Sequence, residues 1–149
     1  MKKILSLCLA TVLCLSLLAV ASAAKYNPFD DQFKNEARQL RQAGIAKNIF
    51  VVFDENKQQI KSGISVIYRD ETGQNKEMVA DVEGRILISL TKPGYIQVLK
   101  LKVDDAEYEV LGKEAFEDFD YEDIVEGEVD YNVIQFKTNS KIAYIYDAE

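Results

Sequence analysis

From residue 48 onward the apolar residues recur with a period of two, and a chain patterned in this way buries them in sheet rather than in helix. Ile49, Phe50, Val51, Val52 and Phe53 form an unbroken β-branched and aromatic run, as expected of a strand buried on both faces or covered by a helix. Ile64, Val66 and Tyr68 alternate with Ser65, Ile67 and Arg69; Met78, Ala80 and Val82 lie among charged neighbours; Ile86, Ile88 and Leu90 alternate with Arg85, Leu87 and Ser89. Each such set predicts a half-buried strand. Beyond Tyr95 the phase slips: Ile96 and Val98 share one face, then Leu99, Leu101 and Val103 take over against Lys100 and Lys102. A β-bulge near Val98 explains the change.

The segments between these runs carry turn chemistry. Asp81-Val82-Glu83-Gly84 fits a type I turn, and Lys92-Pro93-Gly94-Tyr95 a type II turn with glycine at its positive-φ position. Residues 107–111 can pair back across Asp104-Asp105-Ala106, residues 113–123 read as a helical turn or an ordered loop, and residues 131–138 and 141–147 as a hairpin closed at Asn139-Ser140. Residues 27–44 instead read as an amphipathic helix. Asn27 caps it, Pro28 opens it, Asp30 and Asp31 occupy its first turn, Arg38 and Arg41 its last, and Gly44 ends it. Phe29, Phe33, Ala37 and Leu40 form its apolar stripe, which either packs on the following domain or docks a partner protein. One helix followed by seven or eight short strands predicts a mainly β fold, an antiparallel Ig-like sandwich with an N-terminal helix.

Residues 1–23 read as a secretory signal peptide: Lys2 and Lys3, an apolar stretch, then Ala21-Ser22-Ala23 as a cleavage site. Neither Cys8 nor Cys14 follows a lipid-attachment box. The expected organisation is a leader over residues 1–23, a helical segment over residues 24–47 and one β-sandwich over residues 48–149. The expected location is periplasmic or extracellular, with no stable membrane insertion after cleavage. Both cysteines lie inside the leader and the chain has no histidine, so the exported part lacks a cysteine nucleophile, a Ser-His-Asp triad and a His/Cys zinc site. What remains for catalysis is a carboxylate pair or a Ser-Lys arrangement, and Ser62, Ser65 and Ser89 lie outside any G-x-S-x-G setting. The expectation is a non-enzyme.

The formal charge of the whole chain is −7, and residues 104–130 concentrate it, with thirteen Asp or Glu against Lys113 alone. Such a surface repels nucleic acid and favours cationic partners.

The stretch from Asn48 to Val103 resembles the transthyretin-like and carboxypeptidase-regulatory-like sandwiches of exported bacterial proteins. The resemblance rests on an Asp-x-x-Gly turn feeding a strand and a Pro-Gly-Tyr turn into the next, here Asp81, Gly84, Pro93, Gly94 and Tyr95. It implies a sandwich used for interaction, adhesion or spacing.

The chain admits three ligand classes. The first is a protein-interaction or assembly surface for a basic partner, with Glu117, Asp118, Glu126 and Glu128 of the acidic segment contributing charge and Phe29, Phe33 and Leu40 an apolar stripe. The alternative is calcium, held by Asp118, Asp120, Glu122 and Asp123, although Asp123 and Val129 stand where an EF-hand needs glycine and glutamate. No other cofactor is expected. A further alternative is a glycan, stacked on some of the eight tyrosines, of which Tyr68, Tyr144 and Tyr146 sit where strands use aromatic residues for packing. The acidic run also reads as a solvated face anchored by Phe116, Phe119, Ile124 and Val125.

Overall fold

A computed structural model of the chain describes residues 38–147. The expected leader, and all of the expected helix before residue 38, lie outside the described residues. Ten strands follow one another: β1 (Ala46–Phe53), β2 (Gln59–Ile60), β3 (Ile64–Arg69), β4 (Asn75–Val79), β5 (Arg85–Leu90), β6 (Gly94–Val103), β7 (Ala106–Leu111), β8 (Phe116–Phe119), β9 (Val129–Lys137) and β10 (Ile142–Asp147). A 3-10 turn (Lys113–Ala115) precedes β8, and a short helix, α1 (Tyr121–Glu126), separates β8 from β9.

The fold is mainly β, but its sheet is mixed and curled into a half-barrel rather than a clear antiparallel sandwich. Its order is β2-β1-β9-β10-β7-β6-β3-β4, with β5 also beside β1 and β8 beside β6. Two pairings are parallel, β1 with β9 and β10 with β7. The physical reason lies in the connections. A tight turn joins strands antiparallel, whereas α1 and its flanking residues carry the chain to the end where β1 begins, so that β9 runs alongside β1.

Three turns share one construction. Asp54, Asp70 and Asp81 each accept, through Oδ1, the backbone N–H groups two and four residues ahead, at 2.8–2.9 Å. The fourth position is left-handed in all three, occupied by Lys57 (φ 62°), Gly73 (φ 83°) and Gly84 (φ 78°). The Asp81 turn is therefore built as the sequence predicts, closed by the Gly84 N–H donating to the Asp81 carbonyl at 3.0 Å. Asp70 goes furthest: buried, it also accepts from Thr72 Oγ1 and pairs with Lys76 Nζ at 2.7 Å, which holds its carboxyl well below the usual range. The turn at Gly94 differs from its expectation. Its φ of 158° is not the φ near +80° of a type II turn, and glycine is needed because a Cβ would lie 2.8 Å from the Glu71 Cβ.

Along β6 the predicted bulge is present, with Ile67 opposite Lys100 and Tyr68 opposite Val98, so that Leu99 is the extra residue. Val82 does not continue a strand; it is 93% exposed at the tip of the Asp81 turn. The main core fills the inside of the half-barrel with Phe50, Val52, Ile64, Val66, Ile86, Ile88, Leu90, Ile96, Leu101, Phe119, Ile134 and Ile145 among others. A second apolar layer lies on the other side of β1 and β9, formed by Ile49, Val51, Phe53, Val129 and Val133, with Leu87, Tyr131 and Tyr146 at its margin. Strand β1 is thus buried along both faces, as its unbroken apolar run requires.

Residues 38–40 are helical. Leu40 packs on the second layer, and its carbonyl accepts a hydrogen bond from Lys47 Nζ at 2.6 Å. A lysine at that place satisfies an orphan carbonyl at a helix end.

Candidate functional site

Most of the acidic segment is ordered by its own apolar residues. Phe119 and Ile124 are buried in the core, as predicted, whereas Phe116 and Val125 are exposed, contrary to their expected anchoring role. The reason is a strand where a loop or helical turn was expected. Residues 116–119 form β8, which pairs antiparallel with the start of β6, and alternation turns Glu117 and Phe119 to the side opposite Phe116 and Asp118. The segment then passes directly into α1.

The carboxylates proposed for calcium are divided between these elements. Asp120 is the N-cap of α1 and accepts the Asp123 N–H at 3.0 Å, while Asp123 accepts the Asp120 N–H at 2.7 Å, a reciprocal capping box. Glu122 is exposed in the first turn of the helix, and Asp118 sits on β8 opposite Tyr95. Among the described residues no group of three or more Asp, Glu, Cys or His side chains is arranged to hold a metal ion. Glu126 is exposed at the end of α1 and Glu128 is half-buried just before β9. Leu40 belongs to the second apolar layer, and Phe29 and Phe33 lie outside the described residues.

Glu117 and Asp118 do come together with two residues that sequence reasoning did not select. Tyr95 and Phe116 are 59% and 54% exposed, with ring centroids 6.1 Å apart and planes tilted by 40°. With Glu117 and Asp118 they line a shallow groove of about 300 Å³. The rings are diagonal neighbours across β6 and β8, since Tyr95 stands opposite Asp118 and Gln97 opposite Phe116.

Behind the groove, Glu117 enters a polar cluster at the end of the core. Asn132 Nδ2 donates to Glu117 Oε1 at 3.2 Å and to Asn48 Oδ1 at 2.8 Å. Asn48 is fully buried and its Nδ2 has no hydrogen-bond partner among the described residues. Burial, then the nearby Asp130, Asp147 and Glu114, push Glu117 up to about 7 against the partial opposition of the Asn132 hydrogen bond. Burial, followed by Glu128, Asp123 and Asp147, pushes Asp130 up to about 6. Two carboxyl groups thus titrate close to neutrality at one end of the core.

This cluster arises from a change of phase inside β9. Val129, Tyr131 and Val133 face the second apolar layer, so Asp130 and Asn132 point inward; from Ile134 the apolar residues switch to the inner face. The pattern V-D-Y-N-V followed by I-Q-F was the available signal for Asp130 and Asn132. Asn48 and Asp130 stand opposite one another on β1 and β9, a pairing that periodicity alone does not specify.

Chemically, two aromatic faces beside the Asp118 carboxylate form a receptor for a cation. Rings attract an ammonium or guanidinium through their quadrupoles, and the carboxylate accepts its N–H groups. Compared with protein-family models, with curated proteins and with solved structures, the chain matches none.

Proposed function

We propose that this chain is an exported, non-enzymatic interaction or assembly module that captures a lysine or arginine side chain of a basic protein partner in the Tyr95–Phe116 groove. The observation that carries this reading is the exposed, tilted aromatic pair beside Asp118. Aromatic residues exposed together at the rim of a fold are costly to leave in water and are characteristic of binding surfaces. The surrounding acidic segment adds long-range attraction for a basic partner and repels anionic surfaces. The export assignment is supported by the composition of residues 1–23, and a transthyretin-like or Ig-like relationship by the Asp81–Gly84 turn entering β5.

The test is a titration of the isotopically labelled chain from Ala24 onward with a lysine- and arginine-rich peptide, followed by NMR. The expected result is shift changes centred on Tyr95, Phe116, Glu117 and Asp118, with affinity that falls steeply as salt is raised. Shift changes produced only by calcium, or only by oligosaccharides, would transfer the site to those alternatives. No change at millimolar peptide would remove the reading.

A further inference from the structure

We propose that the outer edge of β5 is the interface through which two copies of this chain associate, joining their sheets as an antiparallel β5–β5 pair. Among the described residues, β5 pairs with β1 alone and β4 with β3 alone, so each presents an open side. Unpaired backbone groups along a strand edge are a template for another strand.

The open groups of β5 follow from the hydrogen bonds already made around it. The Lys47 N–H donates to the Glu128 carbonyl on the β9 side, so Lys47, Ile49 and Val51 turn their backbone groups to β9, and Ala46, Asn48 and Phe50 turn theirs to β5. Their register partners Leu90, Ile88 and Ile86 are therefore committed to β1, and Arg85, Leu87 and Ser89 face away from it. Arg85 is closed within the chain: its N–H donates to Asp81 Oδ1 at 2.9 Å and its carbonyl accepts the Asp81 N–H at 2.8 Å. Among the described residues, nothing pairs with the outward N–H and carbonyl groups of Leu87 and Ser89.

A second copy fits this edge in one register. With Ile88 facing Ile88 across a twofold axis, Leu87 of each copy stands opposite Ser89 of the other, and all of their outward groups are paired. A shift one way sets Ser89 against Arg85, whose groups Asp81 already holds; a shift the other way sets Leu87 against Thr91, beyond the end of β5. The facing pairs, Ile86 with Leu90, Ile88 with Ile88 and Leu87 with Ser89, carry no charge. Past the strand end the same register directs Lys92 of each copy to the turn of the other, at Asp81 and Glu83, so opposite charges meet at both ends. Strand β4 is the poorer edge. The Ala80 N–H donates to the Ile64 carbonyl, which turns Glu77 and Val79 outward, and Lys76 and Glu77 place along β4 the charges that keep an edge from pairing. A contact roughly 17 Å long is small, so the association is weak and concentration-dependent. It does not depend on the groove, which lies on β6 and β8.

The experiment is residue-resolved amide hydrogen exchange of the chain from Ala24 onward at micromolar and at millimolar concentration, with a mixed-label NOE spectrum at the higher one. The expected result is that Leu87 and Ser89 slow by about tenfold as concentration rises, while Ile86, Ile88 and Leu90 are slow at both concentrations and Glu77 and Val79 fast at both. The mixed-label sample should show contacts from Ile86 of one copy to Leu90 of the other, residues too far apart within one strand to touch. Ser89→Pro removes an outward N–H and leaves the β1 ladder intact, so it should abolish the slowing, whereas Ser89→Ala should keep it. Exchange at Leu87 and Ser89 that is equally fast, or equally slow, at both concentrations would overturn the pairing, as would slowing at Glu77 and Val79 instead. The wild-type comparison decides this even if Ser89→Pro fails to fold.

Discussion

The two halves of β9 bury opposite faces. From Val133 backwards the apolar side chains point outward and the inward positions are Asp130 and Asn132; from Ile134 forwards the apolar side chains point into the main core. The difference teaches what each region needs. An outward apolar layer must be covered, because residues of this size lose about 1.5–3 kcal/mol each when fully exposed. An inward polar end must be solvated, paired or protonated, because an unpaired charge is expensive to bury. Among the described residues, the chain meets the first need with Leu40 and the bordering Leu87, Tyr131 and Tyr146. It meets the second with the Asn132 hydrogen bonds and with carboxyl groups that hold protons near neutrality.

The contrast can be broken most severely from the apolar side. Val133→Asp places an unpaired carboxylate in a fully buried site and should cost about 4 kcal/mol or more, read by urea denaturation. On the polar side, Asn132→Ala removes donors to Asn48 and Glu117 and should cost about 2 kcal/mol by the same measurement. A milder cost at Val133 than at Asn132 would reverse the assignment of faces.

Glu117→Gln sharpens the contrast in the opposite direction, since it should stabilise. Glu117 has an ordinary value of 4.5 and a folded value of about 7, so as pH rises between these the folded chain keeps a proton that the unfolded chain has lost. Stability falls across that window. Glutamine removes the fall, with a gain of about 1 kcal/mol at pH 7.5, after allowance for solvent screening of a half-exposed group, and little gain below pH 4.5. Asp70 works with the other sign. Its lowered value gives stability that is present above 3.8 and lost as pH falls further, so thermal midpoints should peak in mildly acid solution. The smallest stability effect belongs to Tyr95→Ala, within about 0.5 kcal/mol, although binding of a basic peptide should weaken about tenfold.

How far this was legible in the sequence depended on whether the signal was local. The Asp81 turn, the bulge at Leu99, the hairpin across Asp104 and Asp105 and the β9–β10 hairpin all follow from residues within a few positions of one another. The parallel pairings do not, because alternation tells which face a residue takes and not which strand lies beside it. Strand β8 was hidden by its four-residue length and its charges, and with it the pairing that brings Phe116 to Tyr95. Glu117 and Asp118 were identified from charge density alone. Tyr95 was read only as a turn residue, since its partner comes from 21 residues further along the chain.

Carbon-detected NMR titration of the side-chain carboxyl groups tests the two-faced reading of β9 most directly. With Asp130 turned inward beside Glu117, the account predicts midpoints near 6 and near 7. Midpoints for both in the ordinary carboxylate range, near 4, would place these groups in open solvent and contradict it.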